Sequence, residues 1–299
     1  MSRKEQGKGL FFLFATFFMW GSIYVGSKLG SAQFPPFLLA ALRCFIAAPI
    51  LLFMARRHLR TVVIDAADWK YFFLIGFLGY FTTVDLVQLG VSLTGASTAA
   101  LVNSFNPVAI MLLAALLLKE RITPVKLLCL ALAMIGTFIV AGGAHGEAEL
   151  LGILSTLLAT VTWGTSAVCI RKLSAKYPSI LITACGMTLS LLLHFPVGIL
   201  AAIRQPPQVS LSGVLTVLYL GAVGSGLAQA TWSRALSQFP ASTCSLFYPL
   251  QAVFSALLGT FILKENFTAS FFLGFAFVTA DVALSTWETA REARTDKPA

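Results

Sequence analysis

The side chains that could perform chemistry in this sequence lie mostly in or beside long apolar runs, and none forms a catalytic motif. The segment around His145 reads His-Gly-Glu-Ala-Glu, which lacks the spacing of the HExxH zinc motif. There is also no G-x-S-x-G nucleophile elbow. The cysteines have no paired spacing, so we interpret them as packing residues and expect neither a metal nor a cofactor. They are Cys44, Cys129, Cys169, Cys185 and Cys244.

Two tryptophans lie deep inside apolar runs. Trp20 and Trp163 are each about ten residues, or ~15 Å, from the start of their run, which is the midplane of a bilayer. Tryptophan in membranes prefers the headgroup region, so this depth indicates either a buried packing role or a ring that lines a cavity for an amphipathic substrate. We favour the cavity. Further candidates for its lining are Tyr24, Tyr80, Trp232 and Tyr248.

Two prolines interrupt apolar runs and are surrounded by polar residues. Pro107 and Pro249 each remove one backbone donor, which frees the carbonyl groups of Asn103 and Ser245. A free carbonyl in hydrocarbon needs a partner, so these stretches should face protein or a wet cavity. Polar contacts between helices are the alternative. The candidate binding residues here are Asn103, Asn106, Ser245 and Gln251.

Ionisable residues in the apolar runs form a third group. Lys28, Arg43 and Asp85 fall near the predicted outer ends of their helices. A charge at the centre of a membrane helix costs ~2.5–3.5 kcal/mol on insertion scales, so we expect an ion pair or gate among them. Arg171 is the inner counterpart of Lys28 by symmetry.

Asp281 lies about thirteen residues into the last apolar run and is the one carboxylate deep in a helix. It is either a proton-responsive site or a carboxylate capped by hydroxyls such as Thr279. If Asp85 is paired with Lys28 or Arg43, it stays ionised at neutral pH. We therefore expect facilitated flux of a solute, with proton coupling through Asp281 as the alternative.

The elements that position these residues are membrane helices. The chain has 299 residues, of which 58% are hydrophobic and only 11% charged, with a mean hydropathy of +0.85. Ten spans of ~20 residues would use roughly 200 residues, which leaves too little for a soluble domain. The sequence predicts an all-α integral membrane protein of ten transmembrane helices. The predicted spans are 10–28, 36–55, 69–89, 96–118, 124–142, 150–171, 178–203, 211–232, 240–263 and 269–287.

The net charge of +9 is distributed in short clusters between the spans, a pattern of membrane topology and not of a nucleic-acid surface. With the N-terminus inside, most basic residues face the cytoplasm. Both termini are therefore predicted to be cytoplasmic, in the inner membrane of a bacterium. The outer side receives only Lys28, Arg43, Arg204 and Lys264.

The chain also repeats itself. Ala96-Ser97-Thr98 returns as Ala241-Ser242-Thr243, and Lys119-Glu120 returns as Lys264-Glu265 in the same register. Trp20-Gly21 returns as Trp163-Gly164 at a near-identical shift. The repeats are predicted to be residues 1–145 and 146–299, each with five spans. Because five is odd, the halves enter the membrane in opposite directions, which is typical of transporters with a midplane site.

These features together resemble the ten-helix EamA-type exporters of the drug/metabolite transporter superfamily, and the length and aromatic first helix are similar to bacterial aromatic amino-acid exporters. The resemblance implies export of small metabolites by alternating access. Two departures stand out. Ala252 takes the place of the proline that would match Pro107, and the first helix lacks the buried glutamate of the small multidrug relatives. The second departure argues against cation antiport.

The expected function is export of small metabolites, with amino acids of aromatic or amphipathic type as the leading substrate. A proton-coupled multidrug or metabolite antiporter is the alternative, and an intramembrane enzyme is a weaker one. A channel is disfavoured because no ring of carbonyls or carboxylates is visible. The expected partners are a small-molecule substrate and the lipid bilayer, without nucleic acid, and a monomer is expected.

The inverted repeat makes a topological prediction. Single cysteines placed after Glu120 and after Glu265, in a variant without native cysteines, should react with an impermeant reagent from opposite sides of the membrane. Labelling of both positions from one side would contradict the inverted topology.

Overall fold

The computed structural model describes residues 3–118, 124–142, 146–239, 244, 247–265 and 268–295, and these residues form helices and short connections without a strand. The helices are α1 (Arg3–Ser31), α2 (Pro36–Thr61), α3 (Ala66–Leu93), α4 (Ala96–Asn103), α5 (Asn106–Leu118) and α6 (Pro124–Gly142). They continue with α7 (Glu147–Leu173), α8 (Ser179–Arg204), α9 (Leu211–Gln238), α10 (Pro249–Leu258, extended by one π-helical turn, Gly259–Leu263) and α11 (Ala269–Thr295).

Helix length and composition agree with the predicted membrane protein. Seven helical segments within the described ranges are long and apolar enough to cross a bilayer, with α4 and α5 together forming one of them. The shorter apolar stretches Leu127–Gly136 and Leu250–Leu263 lie in α6 and α10. Large apolar side chains such as Leu116 and Phe261 point outward, at 76% and 80% exposure, as a lipid-facing surface requires. The prediction of an all-α membrane protein built as two five-helix repeats is confirmed.

The two repeats share their irregularities as well as their helices. A π-helical segment interrupts α3 at Ile75–Thr82, and a second interrupts α9 at Leu220–Leu227. Adding 145 to both bounds of the first segment gives the bounds of the second. In the same way, adding 143 to the bounds of α2 gives those of α8. The duplication is therefore structural and includes the π turns, a feature that often marks functional sites in helices.

Packing between the repeats follows a pseudo-two-fold pattern. Helix α2 packs against its counterpart α8, and α6 packs against its counterpart α11. The contact of α3 with α7 has its equivalent in the contact of α9 with α1. An axis that relates the repeats therefore passes between these helices, at the place where an inverted-repeat transporter holds its solute.

Equivalent basic residues close the C-terminal ends of two long helices. Lys28 Nζ lies 3.3 Å from the carbonyl oxygen of Thr94 and 3.5 Å from that of Val91, at the end of α3. Arg171 donates to the carbonyl of Leu236 at 2.9 Å, at the end of α9. The last carbonyls of a helix lack backbone donors and carry the negative end of its dipole, so a cation is stabilising there.

Charged contacts join the repeats at two opposite ends of the bundle. At the end predicted to be cytoplasmic, Asp68 of α3 accepts from Lys176 at 2.9 Å and from Tyr177 at 2.8 Å. The hydrogen bond that Lys176 donates to Asp68 raises the pKa of Lys176. At the other end, Glu265 accepts from the backbone N–H groups of Ala96 at 2.9 Å and Ser97 at 3.3 Å. Its carboxylate thus caps helix α4 of the other repeat.

The Glu265 contact predicts an inter-repeat capping energy. Glu265→Ala removes a charged acceptor from the first turn of α4, a change worth ~0.5–2 kcal/mol for capping interactions. We expect a lower apparent melting temperature in detergent, by a few degrees. The matched control is Glu147→Ala, which removes an exposed carboxylate from the first turn of α7. Equal losses in the two variants would show that Glu265 acts only through the helix dipole.

Candidate substrate-binding site

A cavity of about 70 Å³ lies at the interface of the two repeats, between helices of both. A buried water molecule needs roughly 10–15 Å³ of such space, so the cavity has room for a few waters and not for a whole amino acid. The bundle is therefore in a contracted state. The lining residues are Trp20, Ile23, Tyr24, Arg43, Gly79, Thr83, Val84, Val87, Asn103, Trp163, Gln229, Tyr248 and Gln251.

A cluster of aromatic rings forms one wall of the cavity. The ring centroids of Trp20 and Trp163 are 5.7 Å apart in an edge-to-face arrangement. Trp232 lies 5.3 Å from Trp20, and Tyr248 lies 5.4 Å from Trp232. Phe17 packs on Trp20 at 5.5 Å. Contacts of this type add ~0.5–1.5 kcal/mol per pair beyond area burial, so the cluster joins α1, α7, α9 and the start of α10 tightly.

The two midplane tryptophans differ from the sequence prediction in one respect. Trp20 and Trp163 were expected to face each other across a cavity, whereas their rings touch. Both nevertheless line the cavity with one edge. The Trp163 indole N–H donates to the hydroxyl of Tyr248, so the contacts within the aromatic cluster include a hydrogen bond. On α1 the cavity continues beyond Trp20 to Tyr24, toward the predicted outer side, and the aromatic cluster extends the other way to Phe17.

Polar groups without an internal partner line the remaining wall. Asn103 Oδ1, Gln229 Oε1 and Gln251 Nε2 are buried, and no residue in the described part of the chain forms a hydrogen bond with them. Unpaired buried amides are costly, and in native proteins such groups commonly serve a ligand. The cavity therefore presents two carbonyl acceptors and one amide donor beside the rings.

Arg43 brings a positive charge to the same cavity. Its guanidinium is only 6% exposed and donates through Nε to Ser225 Oγ at 2.7 Å. Within the described ranges, no carboxylate comes within 4 Å of it. A guanidinium has five donors in a planar fork that matches a carboxylate. Arg43 thus retains donors for an anionic group inside the cavity.

The break between α4 and α5 is explained by Pro107. The side-chain amide of Asn106 donates to the carbonyl of Asn103 at 2.8 Å, which supplies the partner that the proline removes. Discontinuous helices of this type occur in transporters where backbone groups line the substrate site. Asn103 lines the cavity and Asn106 supports the break from outside it.

Several predicted residues lie outside the lining. Tyr80 and Trp232 are fully buried in the hydrophobic core, Trp232 as a member of the aromatic cluster and Tyr80 in contact with Trp163. Ser245 lies outside the described residues, and so does the side chain of Asp281, although α11 includes its position. Their roles remain predictions.

The predicted outer ion pair takes a different form. Lys28 binds backbone carbonyls and Arg43 binds Ser225, so neither forms the expected contact with Asp85. Asp85 Oδ1 lies instead 3.8 Å from His194 Nδ1. The physical reason is helical phase, because Asp85 is on the side of α3 that faces His194 of α8 and not on the side that lines the cavity.

Sequence reasoning missed six lining residues. Gln229 could have been found from the sequence, because it is an amide in an otherwise apolar stretch of α9 and a buried amide needs a hydrogen-bond partner. A second signal was that Gly79 recurs as Gly224 in the register of the repeat. The structure explains the glycine, because a Cβ at position 79 would lie 2.1 Å from Ser166 Oγ of α7. The sequence gives no reason to single out the other four, which are ordinary helix residues: Ile23, Thr83, Val84 and Val87. No three His, Cys, Asp or Glu side chains of the described chain are grouped in a way that would hold a metal.

The duplicated fold, the broken helix and the cavity between the repeats define a membrane transporter of the inverted-repeat class. The chain belongs to the EamA-like transporter family, which matches residues 7–142 and again residues 150–287. The resemblance inferred from the sequence is thereby confirmed. This family consists of transporters and not of enzymes.

Individual relatives agree with this classification. An "Uncharacterized transporter" of Clostridium kluyveri is 23% identical over 91% of this chain and 90% of its own length. A "Probable amino-acid metabolite efflux pump" of Escherichia coli (strain K12) is 24% identical over 92% of each chain. A crystal structure matches 95% of this chain and 98% of its own with a TM-score of 0.70 and 21% identity, which shows the shared fold.

The hydrogen bond between Trp163 and Tyr248 can be tested by a double-mutant cycle. Tyr248→Phe leaves a buried indole N–H unpaired, a loss of ~1–3 kcal/mol in the free energy of unfolding. In the Trp163→Phe background the same substitution should cost much less, because the donor is already gone. Denaturant titration in mixed micelles measures the four proteins. Strict additivity of the two substitutions would refute the contact.

Proposed function

We propose that this protein exports small metabolites across the bacterial inner membrane, with aromatic or amphipathic amino acids as its substrates. The solute occupies the cavity between the repeats, and transport proceeds by alternating access. The observation that carries the proposal is the composition of the cavity. It combines a buried guanidinium, the edges of several aromatic rings and three buried amides, each with one polar atom that has no hydrogen-bond partner in the described part of the chain.

The charge of the cavity selects for an anionic group on the solute. Among the residues that the structure describes, Arg43 is the only basic residue in the lining, and no carboxylate belongs to it. Burying an uncompensated cation is costly, so a carboxylate that enters the cavity is stabilised more than a neutral group. The carboxylate of an amino acid would accept from the guanidinium while Asn103 and Gln229 accept from its ammonium group.

The aromatic wall suits an apolar side chain. Trp20, Trp163 and Tyr248 present ring edges and a polar tip to the cavity, the combination that binds amphipathic molecules. The described relative from Escherichia coli is named as an amino-acid metabolite efflux pump, which agrees with this substrate class.

The small volume of the cavity supports transport by alternating access. A space of about 70 Å³ must expand before a whole amino acid can enter. Asp68 and Glu265 join the repeats at opposite ends of the bundle, so opening toward either side requires breaking one set of contacts. Rocking of one repeat against the other would do so while the midplane site stays in place.

Multidrug antiport of cations is the second candidate, and the cavity disfavours it. A cationic drug would meet the Arg43 guanidinium at close range, with no lining carboxylate to compensate it. Like charges in a medium of low dielectric repel strongly. The chemistry of the lining therefore favours zwitterionic or anionic solutes.

Counterflow into proteoliposomes tests the proposal. With L-phenylalanine and L-tryptophan as probes, the wild-type protein should exchange both, and phenethylamine and tryptamine, which lack the carboxylate, should compete poorly. Arg43→Gln should weaken competition by the amino acids roughly tenfold to a hundredfold, because hydrogen bonds to charged groups are worth about 1.5–3 kcal/mol.

The matched control is Arg56→Gln, which removes an exposed arginine of the same helix. It should exchange the amino acids like the wild type. Equal competition by the amines and the amino acids would contradict the carboxylate role of Arg43. Absence of exchange with any of an amino-acid panel would contradict the substrate class.

A further inference from the structure

A buried acid and a buried histidine face each other between α3 and α8, outside the cavity. Asp85 is 6% exposed and His194 is fully buried. Asp85 Oδ1 and His194 Nδ1 are 3.8 Å apart, and neither atom has a hydrogen-bond partner among the described residues. The second ring nitrogen, His194 Nε2, lies 3.1 Å from the backbone carbonyl oxygen of Tyr80.

The Tyr80 carbonyl fixes the tautomer of the histidine. A carbonyl oxygen only accepts, so Nε2 must carry a hydrogen and donate it. In the neutral ring Nδ1 then holds a lone pair, which points toward Asp85. An ionised Asp85 cannot form a hydrogen bond with that lone pair. One added proton completes the contact, either as a carboxylic acid that donates to Nδ1 or as an imidazolium that donates to the carboxylate.

The pair has no counterpart in the other repeat. Under the register that relates the π-helical segments, Asp85 corresponds to Ala230, and under the register that relates α2 and α8, His194 corresponds to Leu51. Ala230 and Leu51 both belong to the hydrophobic core. The fold therefore packs this position with apolar side chains, and the architecture does not require two ionisable groups there.

Helix α3 connects the pair to the cavity. Asp85 of α3 faces His194 of α8, whereas Thr83, Val84 and Val87 of α3 line the cavity. A proton that tightens the contact of Asp85 with His194 would shift α3 against α8, and with it one wall of the cavity. The backbone would absorb such a shift in the π-helical segment just before Thr83.

Few other titratable groups surround the pair. From α2, the Arg43 guanidinium and the Cys44 thiol interact electrostatically with it, and the Cys44 Sγ lies 3.9 Å from the Tyr80 carbonyl oxygen. From α3 itself, Tyr80 is the nearest titratable side chain in sequence.

We propose that Asp85 and His194 together bind one exchangeable proton and couple its movement to export. The proton is taken up from water on one side of the membrane and released to water on the other, and no other bond is made or broken. This inference rests on the proposed exporter function for the coupling, whereas proton binding itself can be measured without any solute. It replaces the expectation of uncoupled flux, whose premise was an ion pair of Asp85 with a basic residue.

Infrared difference spectroscopy of the detergent-solubilised protein, titrated with acid, tests proton binding. The wild type should show a protonated-carboxyl band that is absent in Asp85→Asn and shifted in His194→Gln. Asp65→Asn is the control, because the Asp65 side chain is 68% exposed and precedes the first residue of α3; it should leave the band unchanged. A band that is insensitive to both Asp85→Asn and His194→Gln would overturn the site.

Proteoliposomes with L-tryptophan at equal concentration on both sides test the coupling. A pH difference of one unit can drive up to about tenfold accumulation at one proton per solute. The wild type should accumulate tryptophan and Asp85→Asn should not, although counterflow, which needs no net proton movement, persists. Accumulation that survives in Asp85→Asn, or none in the wild type, would overturn the coupling.

The double variant Asp85→Ala/His194→Leu is the control for loss of accumulation through misfolding. It reproduces the apolar pair of the other repeat and should fold, exchange tryptophan and fail to accumulate it. If no variant and no wild-type protein exchanges tryptophan, the proposed substrate class is wrong, while the infrared titration still decides whether the pair binds a proton.

Discussion

Inside a bilayer, every backbone N–H and C=O group must find its partner within the protein, because the hydrocarbon offers none. This constraint explains why the described chain is helical and why its irregular backbone lies where the repeats meet. The carbonyl freed by Pro107 is satisfied by Asn106, and the ends of α3 and α9 are closed by Lys28 and Arg171. The candidate cavity lies beside the break between α4 and α5, where Asn103 belongs to its lining and the neighbouring helices shield polar groups from hydrocarbon.

The duplicated backbone carries side chains that are not duplicated. The repeats agree in their helix bounds and π turns, and both supply a tryptophan to the aromatic cluster. Arg43, however, corresponds to Gly186, and the acid and histidine of α3 and α8 correspond to alanine and leucine. The symmetry of the backbone suits a rocking motion of one repeat against the other. The residues that the symmetry does not repeat place the charged and titratable groups on one side only. A solute with a carboxylate at one end and an apolar group at the other suits a cavity of this kind.

In the proposed transport cycle, the aromatic cluster opposes expansion of the cavity. Its rings are in contact and leave a cavity smaller than an amino acid, so a solute must separate groups that now stabilise one another. Favourable binding of the solute can offset the free-energy cost of that separation. Charged contacts at both ends of the bundle, through Asp68 and Glu265, oppose opening on either side. The contracted state is therefore stable without preventing a change of conformation.

The sequence by itself determined the helical membrane class, the register of the repeat and the family resemblance, because hydropathy and constant spacing are properties of the chain that need no tertiary contact. It also identified six lining residues, among them Trp20 and Asn103, from their depth and from the prolines. It did not identify Gln229 as a ligand group or pair Asp85 with His194, which is 109 positions away. Those contacts depend on helical phase and on which helices become neighbours. Only the packed bundle decides both.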